Sequence, residues 1–176
     1  MKILETTRLS LFEIELSDNV FVHDLLNSPN WLKYIGDRGV HNHEDATKFI
    51  SERLLRSYAE FGFGFYKMVH KETGMDIGIC GLIKRPELEF PDIGFAVFPE
   101  YEGRGFTSEA AFATMDYAKN RLGLEVILGV TSPDNFGSRR VLEKVGLSLA
   151  GHTKISTSDE ELLLFSNEKN KAGESE

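Results

Sequence analysis

The fold is indicated most clearly by Phe95-Ala96-Val97-Phe98-Pro99-Glu100-Tyr101-Glu102-Gly103-Arg104-Gly105-Phe106-Thr107-Ser108-Glu109-Ala110. An apolar strand leads into a turn that contains Gly103 and Gly105, and a helix begins directly after the turn. The unpaired N–H groups of a helix's first turn point outward, and the helix dipole adds roughly half a positive charge there. Phosphate oxygens bind readily at such a position, and glycine lets the backbone approach a ligand closely. The stretch therefore predicts a strand, a glycine turn and a helix whose start is suited to binding an anion.

The glycine pair does not match two well-known phosphate motifs. A dinucleotide-binding fingerprint needs a third glycine at position 108, where this chain has Ser108. A P-loop needs Gly-Lys followed by Ser or Thr, which the sequence does not contain. On the glycines alone, a plain strand-to-helix turn is the simpler interpretation. Whether the turn binds an anion depends on the surrounding sequence.

Downstream of this stretch, the patterns predict two helices and three strands. The first helix ends before Gly123, and Asp134 or Asn135 caps the second, which ends at Gly146. The predicted downstream elements are a helix over Phe106 to Leu122, a strand over Glu125 to Thr131, a helix up to Gly146, and strands over Leu147 to Ile155 and Glu161 to Phe165.

Upstream and leading into this stretch, the patterns predict four strands and two helices. These are a strand over Arg8 to Ile14, a helix from Ser17 or Asp18 to about Asn27, a helix near Glu44 to Glu60, a hairpin of Phe63 to Val69 with Met75 to Lys84, and a strand over Asp92 to Phe98. An antiparallel stretch followed by alternating strands and helices predicts an α+β (mixed α/β) fold, with a mostly antiparallel mixed sheet and helices on both faces. We expect one domain over residues 1–166 and a disordered polar tail over 167–176.

Composition narrows the classes of function. The chain has 176 residues and a formal net charge of -8, which opposes general nucleic-acid binding because such binding depends on Lys and Arg contacts to phosphates. No apolar run approaches the ~20 residues of a membrane helix, and the N-terminus lacks a secretory signal, so we expect a cytoplasmic protein without a membrane partner. Cys80 is the single cysteine, and His41 and His43 have no third ligand close in sequence, so we expect no disulfide and no metal.

A second segment follows the glycine turn: Pro133-Asp134-Asn135-Phe136-Gly137-Ser138-Arg139-Arg140-Val141-Leu142-Glu143-Lys144-Val145-Gly146-Leu147. Together the two segments resemble the GNAT superfamily of N-acetyltransferases, specifically its branch of ribosomal-protein-like N-terminal acetyltransferases. That branch has Gln/Arg-x-x-Gly-x-Gly/Ala, a helix, a strand, and an Asn that opens a helix ending in Glu-Lys-x-Gly-Phe. The similarity extends from about Glu5 to Gly151, and both Arg8-Leu9 and Asp92-Ile93-Gly94-Phe95 look like family features.

The resemblance implies a GNAT fold with acetyl-CoA as co-substrate. Phe95, Ala96 and Val97 should lie on a strand that splays from its neighbour and bonds the pantetheine arm. The backbone amides of Gly103, Arg104, Gly105, Phe106 and Thr107 should hold the pyrophosphate. Asn135 should bind the cofactor through its side-chain amide, and Arg104, Arg139 or Arg140 should be near the nucleotide phosphates.

Three positions depart from the family pattern. Glu102 stands where the family has Gln or Arg, Thr107 replaces a small residue, and Leu142 occupies a position where many members have a tyrosine general acid. Asp92 at the strand start is the leading candidate for the catalytic base, with Glu87 and Glu89 in the adjoining loop as weaker ones.

The remaining catalytic assignments are a backbone N–H and a hydroxyl. The N–H of Val97 is the candidate donor to the thioester oxygen. Ser138 is the candidate for holding a proton near the leaving sulfur, unless its hydroxyl only bonds the helix backbone.

Two functions from different classes follow. The first is an N-acetyltransferase that moves an acetyl group directly to a primary amine, either a peptide N-terminus or a small molecule. The second is a catalytically silent acyl-CoA sensor on the same fold. Trp31 and Tyr34 lie where this family shapes the acceptor site, although core packing explains them equally well. The sequence leaves open the acceptor, another acyl-CoA donor, and whether the protein is a monomer or a homodimer.

Overall fold

The computed structural model describes residues 1–169 and contains one eight-stranded sheet. The strands are β1 (Lys2–Glu5), β2 (Leu9–Glu13), β3 (Phe65–His70), β4 (Asp76–Ile83), β5 (Asp92–Val97), β6 (Leu128–Thr131), β7 (Ser148–Thr153) and β8 (Leu162–Ser166). Their order in the sheet is β1-β2-β3-β4-β5-β6-β8-β7. Every neighbouring pair is antiparallel except β5 with β6, which is parallel, so the predicted mixed sheet is confirmed.

Within residues 1–169, six α-helices pack around the sheet. They are α1 (Asn19–Leu26), α2 (Pro29–Tyr34), α3 (His43–Phe49), α4 (Arg56–Phe61), α5 (Phe106–Asn120) and α6 (Phe136–Lys144). One hydrophobic core joins the sheet to α5 and α6, and a second lies beneath the N-terminal helices on the opposite face. The predicted arrangement of helices on both faces is therefore confirmed.

Sequence patterns explain the strands that lie at the centre of the sheet. β3 alternates between partly and fully buried side chains, because only one of its faces is completely covered. In β4 the six residues between Asp76 and Ile83 are all buried, as expected of a strand covered on both sides. β5 pairs with β4 in the interior of the sheet, and it contains the Phe95-Ala96-Val97 segment that leads into the glycine turn.

The N-terminal region contains elements that the sequence patterns did not predict. β1 adds an edge strand that pairs with β2. Pro29 follows the end of α1 and occupies the first turn of α2, where its missing N–H costs nothing. The predicted helix over 44–60 is continuous, yet its middle, Ile50–Leu55, is a π-helical turn between α3 and α4.

The predicted polar tail begins inside an ordered part of the chain. Asn167 donates its N–H to the Ile127 carbonyl at 3.3 Å, and its side chain bonds the backbone of Ile127 and Glu125 at 2.8 and 3.0 Å. The first residue of that tail is therefore fixed to the segment before β6, and residues 170–176 lie outside the described part. Within residues 1–169, no helix is long and apolar enough to cross a membrane.

Candidate active site

The parallel strands β5 and β6 separate after two residues. Asp92 pairs with Leu128 and Ile93 with Gly129, but the pairing goes no further. On its other edge β5 stays paired with β4 as far as Val97 opposite Gly78. The edge of β5 over residues 94–97 that faces β6 is therefore open.

The alternation of hydrogen bonds along β5 determines which backbone groups face this opening. The Phe98 N–H donates to the Ile77 carbonyl of β4 at 3.0 Å. Because bonded groups alternate along an antiparallel strand, the N–H and C=O of Ala96 also face β4, and those of Phe95 and Val97 face the other way. Phe95 and Val97 therefore present their backbone N–H groups to the opening, as the oxyanion assignment of Val97 requires.

The predicted glycine turn lies beside this opening and leads into α5. Gly105 is the residue that caps the 15-residue helix, and it has a left-handed backbone with φ of 82°. No side chain bonds the free N–H groups of the first turn as a cap. The first-turn amides of α5 therefore have no side-chain cap, and an anion remains their predicted ligand.

Arg8 supports the glycine turn from behind. Its guanidinium donates from Nη1 to the Arg104 carbonyl at 3.0 Å and from Nε to Glu109 at 2.7 Å, and it lies 4.2 Å above the Phe106 ring. Glu109 also accepts from the Arg8 N–H at 2.8 Å and from the Thr6 hydroxyl at 2.6 Å. Burial opposes ionisation of Glu109, but these hydrogen bonds outweigh burial and hold its pKa below the usual value. The family-like Arg8 thus has a physical role, which is to hold the turn in place.

Glu109→Ala is expected to lower the free energy of unfolding by about 2 kcal/mol, because it leaves Arg8 and Thr6 without their shared acceptor. Urea unfolding followed by circular dichroism measures the effect. Glu143→Ala, at an exposed position of α6, is the control and should change stability by less than about 0.5 kcal/mol. Equal losses in the two variants would contradict the supporting role of Glu109.

One cleft of about 1370 Å³ joins the opening, the glycine turn and the start of α6. Nearly all the residues predicted from the sequence line it: Asp92, Phe95, Ala96, Val97, Gly103, Gly105, Phe106, Thr107, Asn135 and Ser138. Arg104 does not; its guanidinium instead lies 5.1 Å from the Phe106 ring and 5.6 Å from the Tyr101 ring. Of the three arginines placed near the nucleotide phosphates, only Arg140 lines the cleft, since Arg139 bonds the Pro133 carbonyl.

Asn135 caps α6 and faces the cleft at the same time. Its Oδ1 accepts from the Ser138 N–H at 3.2 Å, which confirms the predicted cap. No hydrogen bond from its amide nitrogen occurs within the described residues, so Nδ2 is available to a ligand in the cleft. Ser138 lines the cleft one turn into the helix.

Asp92 is a buried acid at the point where the two strands begin to separate. Its residue is 1% exposed, and its Oδ1 accepts from Arg85 Nε at 2.9 Å. Burial raises the pKa of Asp92 to about 6, although the nearby Arg85 acts in the opposite direction. A carboxylate with such a pKa is ionised at neutral pH and still basic enough to accept a proton.

The weaker candidates for a base lie outside the cleft. Glu87 accepts from the Ser156 N–H at 2.9 Å, and hydrogen bonds with Ser156 lower the pKa of Glu87 to about 2. Glu89 is exposed, and neither residue lines the cleft. Glu102, which departs from the family pattern, lines the cleft but accepts a hydrogen bond from the side chain of Asn30 in α2.

The residues for which the sequence predicted no metal or disulfide role are packing or capping groups, or pair with a neighbouring side chain. Burial raises the pKa of the Cys80 thiol to about 12, and the residue is fully buried. Asn42 caps α3 by accepting from the Asp45 N–H at 2.8 Å, and His41 pairs with Asp37 at 3.0 Å. Among residues 1–169, no group of three or more His, Cys, Asp or Glu side chains is placed to hold a metal ion.

A parallel strand pair that opens beside a glycine turn at a helix start, with an asparagine-capped helix lining the same cleft, defines the class of acetyltransferases with the GNAT fold. The acetyltransferase (GNAT) domain family matches residues 8–148, and the chain belongs to this family.

Relatives and solved structures agree with this assignment. The chain is 28% identical over 151 residues to the uncharacterized N-acetyltransferase YnaD of Bacillus subtilis (strain 168), covering 86% of this chain and 85% of that one. It is 28% identical to a solved acetyltransferase from Agrobacterium tumefaciens, with a TM-score of 0.80 and coverage of 96% and 95%. A ribosomal L7/L12 α-N-protein acetyltransferase solved with coenzyme A has a TM-score of 0.78 over 94% and 97% of the two chains; at 16% identity it shows the fold alone.

Proposed function

We propose that this protein transfers an acetyl group from acetyl-CoA directly to a primary amine, either a peptide N-terminus or a small molecule. The observation that carries the proposal is the single cleft in which the open edge of β5 leads to the free amides at the start of α5. A thioester arm fits the open edge, and a diphosphate fits the helix start. One ligand that carries both groups is coenzyme A.

In the proposed binding mode, the backbone supplies most of the contacts. The amides of Gly103, Arg104, Gly105, Phe106 and Thr107 hold the pyrophosphate, and their orientation depends on Arg8 behind the turn. Phe95, Ala96 and Val97 lie along the pantetheine arm, with the outward N–H groups of Phe95 and Val97 as donors. Asn135, which lines the same cleft, adds its side-chain amide.

In the proposed reaction, the amine nitrogen attacks the thioester carbonyl carbon. A C–N bond forms, the C–S bond breaks, and the products are an N-acetylated amine and coenzyme A with a free thiol. Asp92 takes a proton from the ammonium group, directly or through a water molecule. The Val97 N–H donates to the carbonyl oxygen as its negative charge grows. Ser138 stands near the leaving sulfur and helps return a proton to it.

The test is an acetyl-CoA titration by calorimetry, followed by measurement of free-thiol release with a panel of primary amines. Micromolar binding of acetyl-CoA and amine-dependent release of one thiol per acetyl group are the expected results. Absence of binding to any acyl-CoA would refute the proposal. A preference for succinyl-CoA over acetyl-CoA would change the donor and leave the rest in place.

A silent acyl-CoA sensor is the second candidate, and Leu142 is the observation that favours it. Leu142 is 1% exposed and lines the cleft at the position where many family members have a tyrosine. A leucine cannot donate a proton to a leaving thiolate. Tight acyl-CoA binding with no turnover on any amine would support the sensor.

The finer parts of the assignment are also proposals. The sequence resembles the ribosomal-protein N-terminal acetyltransferase branch, and a peptide N-terminus is accordingly one of the acceptors to test. We further propose a cytoplasmic protein that works as a monomer or homodimer. Chromatography at several protein concentrations separates the two assembly states.

A further inference from the structure

One wall of the cleft is rich in arginine. It is lined by Trp31 of α2, by Arg38 in the following loop, by Arg53 in the π-helical turn and by Arg85 after β4. The three arginines lie close enough to interact: burial lowers the pKa of Arg38, and the charges of Arg85 and Arg53 lower it further. Such a cluster of like charges is costly unless something compensates it.

Protein carboxylates compensate only part of this charge. Asp92 pairs with Arg85 at 2.9 Å, and Glu60 pairs with the neighbouring Arg56 at 3.3 Å. Arg38, which is half-buried, and Arg53, which is exposed, make no ion pair or side-chain hydrogen bond within residues 1–169. The remaining acid of this wall, Glu52, is exposed and forms no ion pair with either arginine.

Trp31 adds an independent observation at the same wall. Its side chain is buried at 6% exposure, yet its Nε1–H is the one buried side-chain polar atom of the described residues that has no hydrogen-bond partner. Indole N–H and guanidinium groups are donors only. Trp31, Arg38 and Arg53 therefore present donors with no acceptor to match them.

We propose that the acceptor amine also carries an anionic group, a carboxylate or a phosphate, which Arg38 and Arg53 bind at this wall of the cleft. The proposal rests on the proposed acetyltransferase function and narrows its substrate class. Arginine suits both anions because its planar fork can donate two parallel hydrogen bonds.

The charge of the whole chain makes this local arrangement informative. With a net charge of -8, the surface as a whole attracts cations and repels anions. A cleft wall with two uncompensated arginines has the opposite preference. Polycationic amines such as spermidine are therefore poor candidates for this wall, although they suit the net charge.

The test uses the intrinsic fluorescence of Trp31, which is the only tryptophan in the chain and lies on this wall. The protein is saturated with coenzyme A and titrated with matched amines: alanine against alaninamide, O-phosphoethanolamine against ethanolamine, and spermidine. We expect at least one amine with an anionic group to bind at least tenfold more tightly than the partner that lacks this group, and the two pairs separate carboxylate from phosphate.

The variants Arg38→Gln and Arg53→Ala should each remove most of the preference while keeping the unliganded fluorescence spectrum. Arg121→Ala is the matched control, because it removes one positive charge at an exposed position that does not line the cleft. Tightest binding of spermidine, equal binding within both pairs, or a preference that survives both cleft variants would overturn the proposal.

Acetyl-CoA binding and thiol release, measured on the same preparation, keep the two proposals distinguishable. Turnover of amines that lack an anionic group, with no anion preference, would contradict only the substrate class. An anion preference without any acetyl transfer would contradict the enzyme function and leave the anion site in place.

Discussion

Replacing Gly105 with valine is expected to raise the dissociation constant of acetyl-CoA at least a hundredfold while the protein remains folded. Gly105 has a φ of 82°, and a Cβ there would lie 3.2 Å from Arg8 Nη2. A β-branched residue in this conformation costs roughly 1–2 kcal/mol, and the turn can relieve that strain only by moving its amides. A hundredfold loss corresponds to about 2.7 kcal/mol, which misplacement of several phosphate-binding amides readily accounts for.

The matched control for this prediction is Gly74→Val. Gly74 has a φ of 69° in the turn between β3 and β4, and a Cβ there would meet no atom within 4 Å. It does not line the cleft, so its valine variant suffers the same backbone strain without disturbing the site. Calorimetry should show near-normal acetyl-CoA affinity for Gly74→Val. Equal affinity in both variants would show that the amides around Gly105 do not bind the coenzyme.

The parts of the site that the sequence predicted are those fixed by local physical chemistry. The glycine turn before Phe106 and the cap at Asn135 depend on residues only a few positions apart. Both features can therefore be recognised from the local sequence without knowledge of the tertiary structure. The resemblance to a known family then supplied the one long-range relation that local patterns lack, the splay between β5 and β6.

The missed parts depend on contacts between distant residues. Arg8 and Glu109 lie 101 positions apart, and nothing in either segment shows that they meet. Arg38, Arg53 and Arg85 come from a loop, a helix and a strand end, and only the folded chain brings them to one wall.

Glu102 shows how tertiary structure resolves a local conflict. A carboxylate beside a phosphate site is unfavourable, so the sequence alone puts Glu102 at odds with its neighbours. In the structure its side chain accepts a hydrogen bond from Asn30, in a helix that the sequence patterns did not predict. The helix α2 therefore provides a partner for the unusual acid and also places Trp31 on the wall of the cleft.

Asp92→Asn is expected to lower kcat by about 10²–10⁴-fold, because an amide cannot take a proton from the attacking amine. The wild-type rate should rise with pH and level off above about pH 6, where Asp92 becomes ionised. The rise of the rate with pH should disappear in Asp92→Asn. The acetyl-CoA affinity of the variant should stay within a few fold of the wild-type value. Thiol release measured from pH 5 to pH 8 with a saturating amine provides both results.

Stability provides a second readout for the same residue. Burial raises the pKa of Asp92 to about 6 in the folded protein, against 3.8 as the ordinary value. The folded state therefore binds the proton more tightly than the unfolded state, and this contribution to stability is complete below the unfolded pKa. It is lost as pH rises through the folded pKa. The stability of the wild type relative to Asp92→Asn should thus fall between about pH 4 and pH 6 and stay constant above.

Ser138→Ala separates protonation of the leaving thiolate, proposed for Ser138, from deprotonation of the amine, proposed for Asp92. The change keeps the backbone N–H that bonds Asn135, so the cap of α6 stays intact. If Ser138 serves the thiolate, kcat should fall by about tenfold while the acidic limb due to Asp92 persists, because general acid assistance contributes less when water can replace it. Unchanged turnover in Ser138→Ala would assign the hydroxyl to the helix alone. Unchanged turnover in Asp92→Asn would move the base elsewhere in the cleft, since Glu87 and Glu89 lie outside it.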